Sequence, residues 1–245
     1  YHLHDTGQCF PLYWYEKTES DQQSQSSIAM NEEIPDADGY VRRDAITDWA
    51  LSEYRRVYGD GAIGKEDIFY YVYGVLHSPE YRSRFESSLK KMLPRMPYLK
   101  DFWAYSKIGR ELAHWHLNYE TIEPYALIED SADLALDPKE HYRVEKMVFA
   151  KKAKAVDKST IIFNSRVRLG GIPTEAYEYV VNGKPAIDWV MERYQVTVDK
   201  DSGIRNDPND WSDDPRYIVD LVKRVVRVSL ETVRLVGKLP EFSLV

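Results

Sequence analysis

The chain has 245 residues, enough for one large domain or two small ones with a core that closes without disulfides or metals. Apolar residues at 43% and charged residues at 30% are globular proportions, and no run approaches the roughly 18 apolar residues of a membrane span. Forty acids against 33 Lys and Arg give a formal charge of -7, so the average field repels a polyanion and any nucleic-acid contact must rest on local patches. The single Cys9 rules out an internal disulfide and a thiolate-rich zinc site. The opening YHLHDTGQCF lacks a basic stretch followed by an apolar one, and a cytoplasmic setting is expected. Tyr supplies 19 residues, and its half-polar ring suits the rim of a core.

In chain order, GQCFPLYWYE is dense in strand formers and predicts one buried strand bounded by Gly7 and Pro11. TESDQQSQSS, residues 18–27, has no apolar residue, and residues 1–40 carry one Lys against eight acids, which predicts a mobile acidic loop. Ile46, Trp49, Ala50, Tyr54 and Val57 recur at helical spacing and stop at Gly59. A second helix is expected over Ile68 to Leu76, behind Glu66 and Asp67. Ser78 and Pro79 open a third, Glu80 to Met92, and a fourth runs from about Lys100 to Leu117. YRVEKMVFAKK and KSTIIFNSRVRL are rich in strand formers, with partial alternation around Asp157 and Lys158, and predict a strand pair or small sheet. Short helices are expected at Thr174 to Val181 and Ala186 to Tyr194, a polar loop at Val198 to Asp214, and a long closing helix from Asp214 to Val236. The class is therefore α+β, predominantly helical, with a small, mostly antiparallel sheet and a long C-terminal helix. The expected division is an N-terminal strand and loop over 1–40 and one domain over 41–245: helical at 41–118, mixed at 140–213, and the closing helix at 214–236.

No self-contained active site emerges, and no catalytic or metal-ligating residue is assigned. Gly59, Gly64 and Lys65 match a phosphate-binding loop, but Glu66 stands where Ser or Thr is needed and the preceding SEYRRVY reads as helix. His114 and His116, two apart on a helix, point about 200° apart and cannot share an ion. His2 and His4 could converge on a strand face but lack a third ligand. Asp199, Asp201 and Gly203 fall out of step with a calcium loop, and Asp137-Pro138-Lys139 is a poor nuclease motif. There is no G-x-S-x-G elbow, Cys9 has no obvious activating base, and the Gly-rich turn of a methyltransferase is missing.

Charge is separated in blocks. Arg82 to Arg110 holds eight basic residues against Glu86 and Asp101, Glu111 to Glu145 holds nine acids against Lys139 and Arg143, and Lys146 to Arg168 holds seven basic residues against Asp157. The plain reading is a solvated face balanced by the acidic block. The functional one is phosphate contact, which releases counterions, with Arg and Asn reading base edges. Lys90, Lys91, Arg95, Lys100, Lys151, Lys152, Lys154 and Lys158 are the candidates for positioning the backbone. Asn164, Arg166 and Arg168 alternate, which on an extended strand places them on one face, and together with Arg205 and Asn206 they are the base-reading candidates.

The strings EDIFYYVYGVLHSPEYRSRF, LPRMPYLKDFWAYSKIGRELAHWHLNYE, GIPTEAYEYVVNGKPAIDWVMERYQV and DKDSGIRNDPNDW resemble the C-terminal specificity region of type ISP restriction-modification enzymes, and the likeness runs through nearly the whole chain. Those enzymes join a nuclease, an ATPase motor, an adenine methyltransferase and a target recognition domain in one polypeptide. The resemblance implies that this segment is not itself an enzyme, that it recognises duplex DNA beside the methyltransferase domain, and that S-adenosylmethionine, ATP and Mg belong to the other domains. DKDSGIRNDPNDW, with Arg205 and Asn206, is then also a candidate for scaffold. The rival reading is a docking module that couples methyltransferase and motor without touching DNA.

Overall fold

The computed structural model describes residues 10–17, 36–91, 94–131 and 137–245. Cys9, His2, His4 and the acidic loop at 18–27 lie outside them. The chain divides into two compact units, one of residues 1–110 with 239–245, the other of residues 111–238. Among the described residues no helix is long and apolar enough to cross a membrane.

The first unit opens with an antiparallel hairpin, β1 (Tyr13–Lys17) against β2 (Tyr40–Asp44). The predicted strand is there but is not buried, because its side chains past Tyr13 face solvent. Helix α1 (Asp48–Tyr58) is capped by the Thr47 hydroxyl and ends at Gly59, whose φ of 61° is the left-handed turn that glycine supplies. Gly64 opens α2 (Lys65–His77), with Asp67 accepting from its N–H at 2.9 Å. The Gly59–Gly64 segment is thus a helix-to-helix turn, and Lys65 pairs with Asp44 and Asp48. The third predicted helix is two pieces, α3 (Pro79–Arg84) and α4 (Glu86–Leu89), interrupted at Phe85. Helix α5 (Phe102–Leu117) follows.

The core of this unit is aromatic, built on Tyr54, Tyr71, Tyr81, Phe102, Tyr105 and Phe242 with Ile63, Ile68, Val75 and Leu99. Its tyrosines also solve a backbone problem. The Pro-interrupted stretch 94–99 cannot satisfy its own polar groups, so Tyr71 donates to the Pro97 carbonyl at 2.6 Å, Tyr58 to Leu99 at 2.8 Å and Tyr81 to Arg95 at 3.0 Å. Tyr105 does the same for Pro240, and the C-terminal residues pair with 98–100 through Leu99 and Leu244. Helices α2 and α5 cross at Gly74 and Gly109. A Cβ at Gly109 would meet the Tyr70 carbonyl oxygen at 1.9 Å.

The second unit is built on a four-stranded antiparallel sheet of β3 (Ile128–Ser131), β4 (Val148–Lys152), β5 (Ala155–Ile162) and β6 (Val167–Gly170), in the order β3-β6-β5-β4. The short α6 (Pro138–His141) follows β3. Thr174–Val181, expected as a helix, is a 3-10 turn at Thr174–Glu178 leading into β7 (Val180–Val181), which pairs with β8 (Lys184–Pro185). Its β-branched end favours the extended form. Helix α7 (Ala186–Arg193) follows. The expected polar loop contains a hairpin of β9 (Thr197–Val198) and β10 (Arg205–Asn206). Helix α8 (Tyr217–Val236) buries Ile218, Val219, Leu221, Val222, Val225 and Val226 in the core formed with Ile161, Phe163, Val167 and Leu169 from the sheet.

Candidate nucleic-acid interface

The basic segment 146–168 folds as the β4–β5 hairpin and the start of β6. Lys152 pairs with Ala155, leaving Ala153 and Lys154 as a two-residue turn, and Ala153 takes a φ of 57°. A primed turn of this kind matches the twist of its strands. Lys151, Lys152 and Lys154 are exposed there, with no ion pair among the described residues. Asp157 and Lys158 lie inside β5, beyond the turn. The Lys158 ammonium sits 4.9 Å from the Tyr177 ring centre, 5.4 Å from that of Phe149 and 3.9 Å from Asp188, so it is held within the fold.

The expected row of Asn164, Arg166 and Arg168 on one strand face does not form, because β6 begins only at Val167. Residues 164–166 are a bend, and Asn164 builds it. Its amide nitrogen donates to the His141 and Arg143 carbonyls at 2.9 and 3.0 Å, and its oxygen accepts from the Arg166 and Val167 N–H groups, both at 2.8 Å. An amide offers two donors and two lone pairs, so Asn164 has nothing left for a base edge. Arg166 donates to the Glu140 carbonyl at 3.3 Å and borders a hollow shared with Arg143, Glu145, Lys146 and Ser165. Arg168 stands exposed on the outer face of the sheet, level with Asp130 of β3 and Ile162 of β5.

Beneath that face a charged cluster joins sheet to helix. Arg216 donates to both oxygens of Glu129 at 3.1 and 3.0 Å and to Asp220 at 3.0 Å; Tyr142 donates to Glu129 at 2.9 Å, and Lys223 completes the cluster. Hydrogen bonds from Arg216, joined by those of Lys223 and Tyr142, outweigh burial and hold the Glu129 carboxyl at about 2. No pattern in the sequence pointed to Glu129, since its strand is embedded in the acidic block. The periodicity of α8 did place Lys223 next to buried Val222, which is the available signal.

Arg205 and Asn206 form β10 and are exposed, but Arg205 pairs with Asp207 at 3.0 Å. Asp207 also receives Arg143 at 2.5 Å and the Asn209 amide at 2.7 Å, while Asn209 bonds both ways with the Val144 backbone. Burial raises the Asp207 carboxyl, but the bonds from Arg143 and Asn209 win and leave it below its ordinary value. The DKDSGIRNDPNDW string is to this extent scaffold, and Asn206 is one of its exposed side chains, with no side-chain hydrogen bond among the described residues. Asp199 closes the β9–β10 turn by accepting from Ser202.

In the first unit, Lys90 pairs with Glu86 at 2.7 Å, whereas Lys91, Arg95 and Lys100 are exposed without an ion pair among the described residues. Of the other histidines, His116 bonds with Thr232 at 2.9 Å and stacks on Tyr179, and His114 bonds with Asn118. No group of three His, Cys, Asp or Glu side chains among the described residues could hold a metal ion.

The model of the Type ISP C-terminal specificity domain matches residues 1–221. Among solved structures, the chain is similar to the ATP-dependent Type ISP restriction-modification enzyme LlaBIII bound to DNA, with 37% identity and a TM-score of 0.78 over 96% of this chain. It is similar to a nuclease-deletion mutant of the Type ISP enzyme LlaGI in complex with a DNA substrate mimic, with 42% identity and a TM-score of 0.69 over 83% of this chain. The DrdV–DNA complex matches with 33% identity and a TM-score of 0.70 over 82% of this chain. No curated protein sequence matches. The chain spans only 14%, 14% and 20% of those three chains, respectively. With the family's model covering most of its length and three solved relatives sharing its fold, the chain belongs to the Type ISP C-terminal specificity domains.

Proposed function

We infer that this chain is the target-recognition part of a longer Type ISP restriction-modification polypeptide, binding duplex DNA and selecting the site on which methyltransferase and nuclease or motor parts act. The observation that supports this reading is that three relatives, each at 33% identity or more over at least 82% of this chain, are solved as complexes with DNA or a DNA mimic. The methyltransferase domain of the same polypeptide is the protein partner, and S-adenosylmethionine, ATP and Mg are assigned to the parts outside this segment, which by itself carries no catalytic step.

Within that reading, Lys151, Lys152 and Lys154 on the β4–β5 hairpin and Lys91, Arg95 and Lys100 in the first unit position the phosphates, because their ammonium and guanidinium groups are exposed and unspent. Arg168 and Asn206 are the base readers best supported by their exposure. Arg166 and Arg205 are secondary, since each is already bonded to a neighbour. The test is selection from randomised duplex DNA by this chain, alone and joined to its methyltransferase, at two salt concentrations. One enriched short sequence, relaxed at one position by Arg168→Ala, is expected. If neither form enriches any sequence while the methyltransferase remains folded and competent, the chain is a docking module instead.

A further inference from the structure

The β1–β2 hairpin carries a surface concealed by the acidic count of residues 1–40. Residues directly paired across an antiparallel ladder share a face, so Tyr15 with Arg42, and Lys17 with Tyr40, project from one side, and Tyr13 and Asp44 end the row. The Arg42 guanidinium lies 4.3 Å from the Tyr13 ring centre, and the Lys17 ammonium 6.0 Å from that of Tyr40. Both cations are exposed, as are Tyr15 at 59% and Tyr40 at 38%.

Two of the acids bordering this face are engaged by cations, while Asp36, which accepts from the Tyr40 and Asp38 N–H groups, and Asp38 have no ion pair among the described residues. Asp44 pairs with Lys65 at 3.1 Å, and Glu66, which accepts from the Tyr13 hydroxyl, pairs with Arg110 at 3.2 Å. Arg42 and Lys17 make no ion pair among the described residues; each lies over a tyrosine ring instead. The opposite face differs: Val41 is buried there, and Arg43 is matched by Glu16 at 3.1 Å.

Exposed rings interleaved with unmatched cations on a sheet surface suit a nucleic-acid strand whose bases are unstacked, because rings take base faces and cations take phosphates. A stacked duplex presents no base faces to such rings. We propose that this face binds unpaired DNA, with Tyr15 and Tyr40 stacking on bases and Arg42 and Lys17 contacting the backbone. The proposal rests on the DNA-recognition reading and adds to it a second contact, to single-stranded rather than duplex DNA.

The test is anisotropy titration of the 245-residue chain with a labelled single-stranded oligothymidylate and with a duplex, across a salt series. Tyr15→Ala and Tyr40→Ala are each expected to weaken single-strand binding about five-fold or more while sparing the duplex, and Tyr15→Phe and Tyr40→Phe to retain it. Arg42→Ala with Lys17→Ala lowers the single-strand salt slope by about 1.4, whereas Arg43→Ala on the other face leaves the tyrosine-dependent step intact. An oligonucleotide carrying 5-iodo-deoxyuridine crosslinks at Tyr15 or Tyr40. The proposal is overturned if the wild-type chain does not bind single strands, if folded Ala variants bind them as wild type does, or if single-strand and duplex affinity fall together. Site selection on randomised duplex keeps the two readings apart: a wild-type chain that selects a sequence but ignores single strands defeats this inference alone. A chain that binds single strands through these tyrosines but selects no duplex sequence defeats the target-recognition reading.

Discussion

Replacing Glu129 with Gln removes the one carboxylate shared by Arg216, Lys223 and Tyr142, and with it the polar tie between β3 and α8. Arg216 is the main cause of the lowered Glu129 pKa, with Lys223 and Tyr142 adding to it. The drop from an ordinary 4.5 to about 2 corresponds to roughly 3 kcal/mol of preference for the charged form in the folded state. Arg216 is 36% exposed, so solvent screens part of that, and about 2 kcal/mol is the working figure. Because the folded carboxyl titrates below the unfolded one, this stabilisation is complete above about pH 4.5 and is lost as pH falls toward 2. Urea unfolding of wild type and Glu129→Gln at pH 7, 5 and 3 is therefore expected to show a gap of about 2 kcal/mol at pH 7 and pH 5 that shrinks to about half or less at pH 3. A gap that stays constant from pH 7 to pH 3, or one below about 0.5 kcal/mol at neutral pH, would refute the assignment of Glu129 as the charged hub.

Other substitutions separate scaffold from contact. Asn164→Ala, which strips four hydrogen bonds from the bend before β6, is expected to cost about 2 to 3 kcal/mol in urea unfolding; Arg168→Ala, on an open face, is expected to leave stability within about 0.5 kcal/mol. Gly109→Ala forces α2 and α5 apart and is expected to lower stability by about 3 kcal/mol or more, visible as a large fall in Tm; an unchanged Tm would mean the crossing is looser than described. Tyr71→Phe leaves the buried Leu99 N–H without its acceptor at 2.9 Å, for an expected loss of about 1 to 3 kcal/mol in the same assay. Neutralising Lys151, Lys152 and Lys154 together with Gln is expected to reduce the salt slope of duplex binding by about 2.7 while leaving the selected sequence unchanged. A slope equal to wild type would remove the hairpin from the interface.

The helices were legible where the local signals agree. Gly59, Ser78 and Pro79 mark helix ends as capping chemistry requires, and the apolar stripe of α8 identifies it without tertiary information, whereas the Thr47 cap of α1 is not among the predicted helix ends. Reading failed where tertiary partners decide. Tyr13–Lys17 has strand composition whether it is buried or paired at an open edge, and only its partner β2 tells which. Ile128–Ser131 is a strand because β6 offers it a ladder, despite the acids around it. The interruption at Phe85, where φ is -108° and ψ 17°, has no mark in the local sequence, and the stack of its ring on Tyr81 four residues earlier is equally compatible with a continuous helix.

The candidate interface shows a sharper limit, because charge and side-chain chemistry name residues able to contact DNA but not those free to do so. Asn164 and Arg168 looked equivalent by alternation, yet the first is consumed by four bonds of its own bend and the second is left on an open strand. Lys158 is a cation whose partners Tyr177 and Asp188 are distant in sequence, so no local pattern reveals that it is engaged, and Arg143 adds to its near neighbour Glu145 the distant Asp207. A base reader also has to change between relatives that choose different sites without disturbing the fold. That requirement excludes side chains on which backbone closure depends and favours positions such as Arg168 and Asn206, whose loss leaves no buried polar group unpaired. Exchanging Arg168 and Asn206 for other residues is accordingly expected to alter the selected sequence at a wild-type Tm, whereas exchange of Asn164 or Asn209 lowers Tm first; measured together, selection and melting distinguish the two classes, and a change at Asn164 that shifts sequence preference without lowering Tm would refute the division.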